Sequence, residues 1–202
     1  ITIVIEKGGH QLIQVSDNGG GISPDDMNLA VQRYTTNKIE TIDDLFNINS
    51  LGFRGEALAS IASVSEMEMA SCINGDGGFA VSILDGEAGE LIPAEPVQGT
   101  RIDVRNLFYN TPARKKFLKS RRVEFRQIVA MARRYGLAYP EVAFKLYHDD
   151  KEILNIQSES LKERIDNLLD PTYSDHLLEV NTVKGDFAIS GYVGSLNLVR
   201  SR

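Results

Sequence analysis

Two glycines three apart, at the head of a helix-like run, constrain this chain more than any other feature. The stretch is Leu51-Gly52-Phe53-Arg54-Gly55-Glu56-Ala57-Leu58, continued by Ala59-Ser60-Ile61-Ala62. Glycine lets the backbone turn without a Cβ clash and lets another group come close. A helix start presents unpaired N–H groups and a partial positive charge. Together, with Arg54 as a further cation, they form a cradle for phosphate. Gly-x-x-Gly by itself is equally a glycine-punctuated helix entry, so the other stretches carry the decision.

A second glycine run comes earlier. Thr2 to Glu6 alternates apolar and polar, Gly8-Gly9 turns, and His10 to Ser16 continues as a strand, which reads as a β-hairpin. That strand runs into Asp17-Asn18-Gly19-Gly20-Gly21-Ile22. Three consecutive glycines permit an unusual backbone path beside a flat ligand. Asp17, an acceptor-only carboxylate at a strand end, suits an exocyclic amine such as N6 of adenine. Asp-Asn-Gly is also the composition of an Asx turn.

Ser23-Pro24-Asp25-Asp26 reads as a helix entry, with Met27, Ala30, Val31 and Tyr34 on one buried face. Thr35-Thr36-Asn37-Lys38 breaks that period, and Thr41 to Asn47 reads as a capped helical turn. Lys38 and Arg54 thus sit on two loops that flank the glycine motif, as in a lid or in a plain surface loop. Ser65 to Ile73, Phe79 to Ile83 and Gly99 to Arg105 read as strands of an antiparallel meander. A threonine at a strand start, Thr100, can reach a base directly or through water.

Asn110-Thr111-Pro112-Ala113-Arg114 repeats the cap-then-proline entry of a short helix. A longer helix is predicted from about Arg122 to Tyr135, with Phe125, Ile128, Val129 and Ala132 inward and Gly136 as its stop. A hairpin about Asp149-Asp150 follows. The polar stretch Gln157-Ser158-Glu159-Ser160 marks a domain boundary, giving domains at residues 1–157 and 158–202. A helix carrying Leu161, Ile165, Leu168 and Leu169 and two strands would begin the second domain.

Composition narrows the class. Of 202 residues, 42% are hydrophobic and 25% charged, an ordinary globular mix. No apolar run approaches the ~20 residues of a membrane span. Cys72 is alone, which excludes an intrachain disulfide and fits a reducing cytosol. The three histidines are scattered and read as surface or strand residues rather than ligands. Net charge is −6, which disfavours nucleic acid until its distribution is considered. Arg105 to Arg134 holds ten basic residues against one acid, Glu124; this leaves −15 for the remainder. Such an island can bind an anion that the whole chain would repel, or can be a solvated helix face. The chain opens in a strand pattern at Ile1 and closes just after another, as expected of a fragment. No Gly-x4-Gly-Lys-Ser/Thr loop occurs.

In combination the stretches are specific. Asp17-x-Gly19-x-Gly21-Ile22, Gly52 to Leu58 and Gly99-Thr100 resemble, in order, the motifs of the GHKL ATPases. The heptapeptide Gly52 to Leu58, with Leu107-Phe108-Tyr109-Asn110-Thr111-Pro112-Ala113-Arg114 downstream, resembles the MutL/PMS mismatch-repair family in particular. The resemblance covers essentially the whole chain. It implies a Bergerat α/β sandwich, a mixed and largely antiparallel sheet with helices on one face. A truncated second α/β domain with a βαβ crossover would follow.

The same resemblance implies ATP with Mg2+ as cofactors. Asp17 would accept from the adenine amine, supported by Thr100, with Gly21 against the base beside Ile22. Thr36, Asn37 and Lys38 match the family's Thr-Ser-Lys lid, with Asn37 in place of serine. Gly52, Phe53, Arg54, Gly55, Glu56, Ala57 and Leu58 would wrap the triphosphate. The general-base glutamate and the magnesium-ligating asparagine would precede Ile1. A lysine from the second domain would follow Arg202. The parent would therefore hydrolyse ATP while this chain barely does so. The ATP cycle of the family implies homodimerisation, a DNA clamp, a partner in the mismatch-recognition protein MutS, coupling to strand incision, no membrane and a bacterial cytoplasmic location. Arg114, Lys115, Lys116, Lys119, Arg121 and Arg122 are the candidate DNA-contacting residues. Two alternatives stay open: a type II topoisomerase subunit, and a GHKL-fold scaffold without turnover.

Overall fold

A computed structural model of the chain describes residues 1–36, 54–73, 77–169 and 175–196. The elements in order are β1 (Thr2–Glu6), a 3-10 turn (Lys7–Gly9), β2 (Leu12–Ser16), α1 (Pro24–Ala30), α2 (Ala57–Ala62), β3 (Glu66–Cys72), β4 (Gly78–Leu84), β5 (Glu87–Ala88), β6 (Ile92–Ala94), β7 (Gly99–Arg105), α3 (Pro112–Lys115), α4 (Arg121–Ala138), β8 (Phe144–His148), β9 (Lys151–Ile156), α5 (Leu161–Leu168), β10 (Leu177–Lys184) and β11 (Phe187–Gly194). The main sheet has the order β5-β4-β3-β7-β2-β1-β8-β9, with β6 on β4. Every pairing is antiparallel except β1 with β8.

Alternation decides which face is covered. Side chains of a strand point alternately to the two faces, so paired residues share a face across the sheet. One row runs Ile83, Met67, Val104, Ile13, Ile5, and the next runs Val81, Met69, Ile102, Val15, Ile3, Leu146, Leu154. Both rows are apolar, and both belong to the helix-covered face. Under α1 and α2, Met27, Val31 and Ala62 pack on Met67, Met69, Val81 and Ile83. Under α4 and α5, Ala132 and Leu168 pack on Ile5, Leu146, Leu154 and Ile156. Each of the larger side chains among them (Met, Val, Leu, Ile), fully buried, contributes about 1.5–3 kcal/mol. Between the two clusters Val15 stays 40% exposed. The other face is polar at its centre, where Gln14 donates to Asp103 at 2.8 Å and Arg101 pairs with Glu68 at 3.0 Å, with Leu12, Ala70 and Cys72 buried around it.

Local chemistry sets the helix ends. Ser23 accepts from the Asp26 N–H at 3.1 Å and Pro24 takes the first position of α1. Ser160 and Glu163 form a reciprocal capping box on α5. Arg164 of α5 is 0% exposed. Its guanidinium pairs with Glu159 at 2.7 Å and donates to the carbonyls of Gly136, Pro140, Val142 and Gln157. A buried charge persists only when its donors are satisfied, and here backbone oxygens satisfy them.

Three local expectations change. Gly136 does not stop α4, which runs on to Ala138. A Cβ there would meet Ile156 Cδ1 at 2.8 Å, so close packing of helix on sheet accounts for the glycine. Tyr34 is 76% exposed, because α1 ends at Ala30 and the chain turns at Tyr34 with φ +66°. Leu169 is exposed beyond the end of α5. The capped turn expected at Thr41 to Asn47 lies outside the described residues. The hairpin β10–β11 forms its own two-stranded sheet, whereas Leu168 of α5 joins the first core. Among the described residues after α5, the only pairing is this antiparallel hairpin.

Candidate functional site

Asp17, Thr100 and Ser71 form the next row on the helix-covered face, at the sheet end where β2 and β3 finish and β7 begins. The Asp17 N–H donates to the Thr100 carbonyl at 2.9 Å, extending the β2–β7 ladder by one residue. Asp17 Oδ1 accepts from the Gly19 N–H at 2.8 Å and from the Thr100 N–H at 3.3 Å. The first bond is an Asx turn, so the turn reading and the acceptor reading hold together. The Asp17 side chain is exposed, and Oδ2 has no hydrogen-bond partner among the described residues.

Ser71 joins the row and was not legible as a site residue. Its Oγ donates to the Gly99 carbonyl at 3.0 Å, lies 2.9 Å from Thr100 Oγ1 and accepts from the Ile22 N–H at 2.8 Å. The one signal for it is a hydroxyl on the covered face of β3, where Met67 and Met69 precede it. Gly99 has φ +79°, and a Cβ there would lie 2.5 Å from the Asp17 carbonyl oxygen and 2.6 Å from Oδ1. Only glycine lets β7 enter so close beneath Asp17. The missing Cβ of Gly21 faces the Cys72 carbonyl.

The segment between Ile22 and Thr36 bridges two parts of the site. Its start is held by Ser71, and its end by the Gly55 turn, where the Tyr34 N–H donates to the Gly55 carbonyl at 3.1 Å. Gly55 has φ +60° and packs against the Thr35 backbone with no room for a Cβ. Arg54, Glu56 and Ala57 are exposed; Thr36 and Leu58 are half-buried. Asn37, Lys38, Gly52 and Phe53 lie outside the described residues.

The residues fit an adenine in one testable respect. A carboxylate oxygen without a partner stands at the end of an apolar strip that includes the exposed Val15 and the half-buried Ile102. A flat apolar ring bearing an amine donor matches that pair of features. Among the described residues no group of three or more His, Cys, Asp and Glu could hold a metal. No helix among them is long and apolar enough to cross a membrane.

The basic residues occupy a different surface. Arg114, Lys115, Lys116, Lys119, Arg121 and Arg122 are all exposed on α3, the start of α4 and the link between them. Among the described residues none of their side chains makes an ion pair. The loop ahead of them is pinned. Tyr109 Oη donates to Asp85 Oδ1 at 2.5 Å, Asn110 donates to Asp85 at 2.8 Å and to the Ser63 carbonyl at 3.0 Å. The hydrogen bond to Asp85 pushes the Tyr109 phenol up to about 12, and the two donors hold Asp85 below its usual value.

No family model matches the chain. Curated relatives do. The DNA mismatch repair protein MutL of Prosthecochloris aestuarii is 40% identical over 201 residues, 99% of this chain and 32% of that protein. The MutL of Chlorobium phaeobacteroides is 43% identical over 195 residues, 96% of this chain and 31% of that protein. The chain thus spans about one third of the curated relatives it matches. Among solved structures, the Aquifex aeolicus MutL ATPase domain complexed with ADP aligns with TM-score 0.70 and 30% identity, covering 90% of this chain and 63% of that one. A second, the ATPase domain from the bacterial mismatch repair endonuclease Aquifex aeolicus MutL, aligns with TM-score 0.66 and 25% identity, covering 96% and 64%. By sequence over nearly its whole length, and by the fold of its sheet and helices, this chain belongs to the MutL family and matches nearly two thirds of the length of the solved MutL ATPase domains, which are of GHKL type.

Proposed function

We propose that the Asp17 corner binds the adenine of ATP, and that the chain is the nucleotide-responsive part of a DNA mismatch repair ATPase. The observation that carries this is the Asp17–Thr100–Ser71 row. It presents one carboxylate oxygen beside an apolar strip while its other oxygen is fixed by two backbone N–H groups. Pre-set acceptors of this kind select an amine-bearing ring by its hydrogen-bond pattern. The Gly52–Leu58 stretch holds the phosphates, with Arg54 as a cation, and Thr36, Asn37 and Lys38 close over them. Thr100 acts through Ser71 and Asp17, whose positions its hydroxyl and N–H help to fix. Gly21 and Ile22 position the turn that borders the base. When bound, Mg2+ would spread charge over the phosphates.

In the same reading the residues up to 157 belong to the nucleotide domain, α5 packs in its core through Leu168, and a second domain begins beyond α5. Nucleotide binding drives homodimerisation and DNA clamping, and couples a MutS-type partner to strand incision in the cytoplasm. The exposed cations Arg114 to Arg122 support DNA as the partner, since they neutralise phosphates without reading sequence. A thermal-shift assay with a non-hydrolysable ATP analogue and magnesium tests the nucleotide half. Stabilisation by the analogue but not by its pyrimidine counterpart is expected. No shift with either would favour a scaffold that kept the fold without the ligand.

A further inference from the structure

We infer that the open cavity at the β1–β2 turn is a seat for a backbone phosphate of DNA. The cavity, of about 410 Å³, is lined by Lys7, His10, Gln11, Arg105, Asn106 and Arg121. Three of the six are cations and none is an acid. It lies at the opposite end of β2 and β7 from Asp17, outside every motif that gave the nucleotide reading. The turn is built against the start of α4: the missing Cβ of Gly8 faces the Arg121 carbonyl. This contact brings Lys7 and Arg121, distant in sequence, to one wall.

Two of the cations keep their charge available: among the described residues the side chains of Lys7 and Arg121 make no ion pair, whereas Arg105 pairs with the buried Asp103 at 3.5 Å. Two acids border the cavity without lining it: Asp149 accepts from the Lys7 backbone N–H at 2.9 Å, and Glu66 accepts from Asn106 at 2.8 Å. His10 lines the cavity, while its Nε2 is buried with no partner among the described residues. A tetrahedral oxyanion offers acceptors to lysine, both arginines and the Asn106 amide together.

DNA, rather than a free anion, follows from continuity. Arg121 belongs both to this cavity and to the exposed run of Lys115, Lys116, Lys119 and Arg122. A polyanion lying along that run has its next phosphate within reach of Arg121, and the cavity extends the track onto the β1–β2 turn. The inference rests on the DNA reading above, and it adds Lys7, His10 and Arg105 to the surface.

Binding of a labelled mixed-sequence duplex across a salt series tests it, with Lys7→Gln, Lys7→Arg, Lys7→Gln/His10→Gln and Lys115→Gln/Lys116→Gln variants of the chain. Lys7 sits on an exposed turn, and matching thermal melts establish that each variant is folded. Expected for Lys7→Gln is a roughly five-fold weaker complex and a salt slope smaller by about one, with Lys7→Arg restored. Lys7→Gln/His10→Gln should be weaker still. Loss in Lys115→Gln/Lys116→Gln with unchanged affinity and slope in both Lys7→Gln variants would overturn the cavity's role and leave the DNA reading standing. No loss in any variant would overturn both. Inorganic phosphate shifting the His10 resonances while the Lys7→Gln variants bind duplex normally would make the cavity a small-anion site, which also overturns the inference.

Discussion

β2 and β7 lie side by side, and their two ends have opposite chemistry. At one end are Asp17, Thr100 and Ser71, with a free carboxylate oxygen and closely packed glycine backbone. At the other are Lys7, Arg105 and Arg121 about an open cavity. About 20 Å separates the ends, from six residues at ~3.3 Å each. The strands between them carry no such contrast: they pair in one unbroken antiparallel register from Leu12–Arg105 to Ser16–Arg101. The turns, not the strands, therefore set what each end can bind. An acceptor with a neighbouring apolar strip suits a neutral base with an amine. A cluster of cations suits a phosphate and rejects the base's donor. On the proposed reading, one sheet faces two ligands at separate ends.

Substitutions at one end should leave the other intact, and this independence is what the following variants probe. Gly99→Ala should have the largest effect. It places a Cβ 2.5 Å from the Asp17 carbonyl at φ +79°, and should cost roughly 2–4 kcal/mol, read as a lower Tm. Asp17→Asn comes next. The amide oxygen can still take the Gly19 and Thr100 N–H groups, while the free acceptor becomes a donor. Adenine nucleotide affinity, by calorimetry, should fall about 10- to 100-fold with duplex affinity unchanged. Reversing charge at Lys115, Lys116 and Lys119 should weaken duplex binding by about tenfold and flatten its salt dependence, with nucleotide affinity unchanged. If either of the last two variants lowers both affinities, the ends are coupled and the comparison fails.

The smallest effect is a titration. Tyr109 has its pKa raised to about 12 by its hydrogen bond to Asp85. Its stabilising contribution is thus complete below the ordinary tyrosine value near 10 and is lost as pH rises through about 12. Asp85 is depressed, so its contribution is present above its ordinary value and disappears as pH falls through the lowered one. Ultraviolet titration should show one phenol ionising late, and Asp85→Asn should return it toward 10. A titration without the late phenol would mean that the loop before the basic face is not pinned at Asp85.

Much of this was legible in the residues themselves. The Asp17 turn, the Ser23-Pro24 entry and the strand from Phe79 to Ile83 are local patterns, and local patterns are set by neighbours in sequence. Ser71 was not legible, because its role depends on which strands become neighbours. Only the β3–β7 register sets it opposite Thr100. Gly136 misled for the same reason: a glycine near a helix end looks like a stop until α5 and β9 are packed over it. The basic cavity was half legible. Arg121 belongs to an obvious run of charge, but Lys7 joins it only through the contact of Gly8 with the start of α4.

The central claim is that the Asp17 corner, and not the basic end, receives adenine. Titrating ADP into the labelled chain and following backbone amide resonances tests it most directly. Gly19 and Thr100, whose N–H groups both meet Asp17 Oδ1, should shift with the same saturation curve while Lys7 and Gly8 stay still. ADP binding that leaves Gly19 and Thr100 unmoved, or that moves the Lys7–Gly8 turn instead, would contradict it.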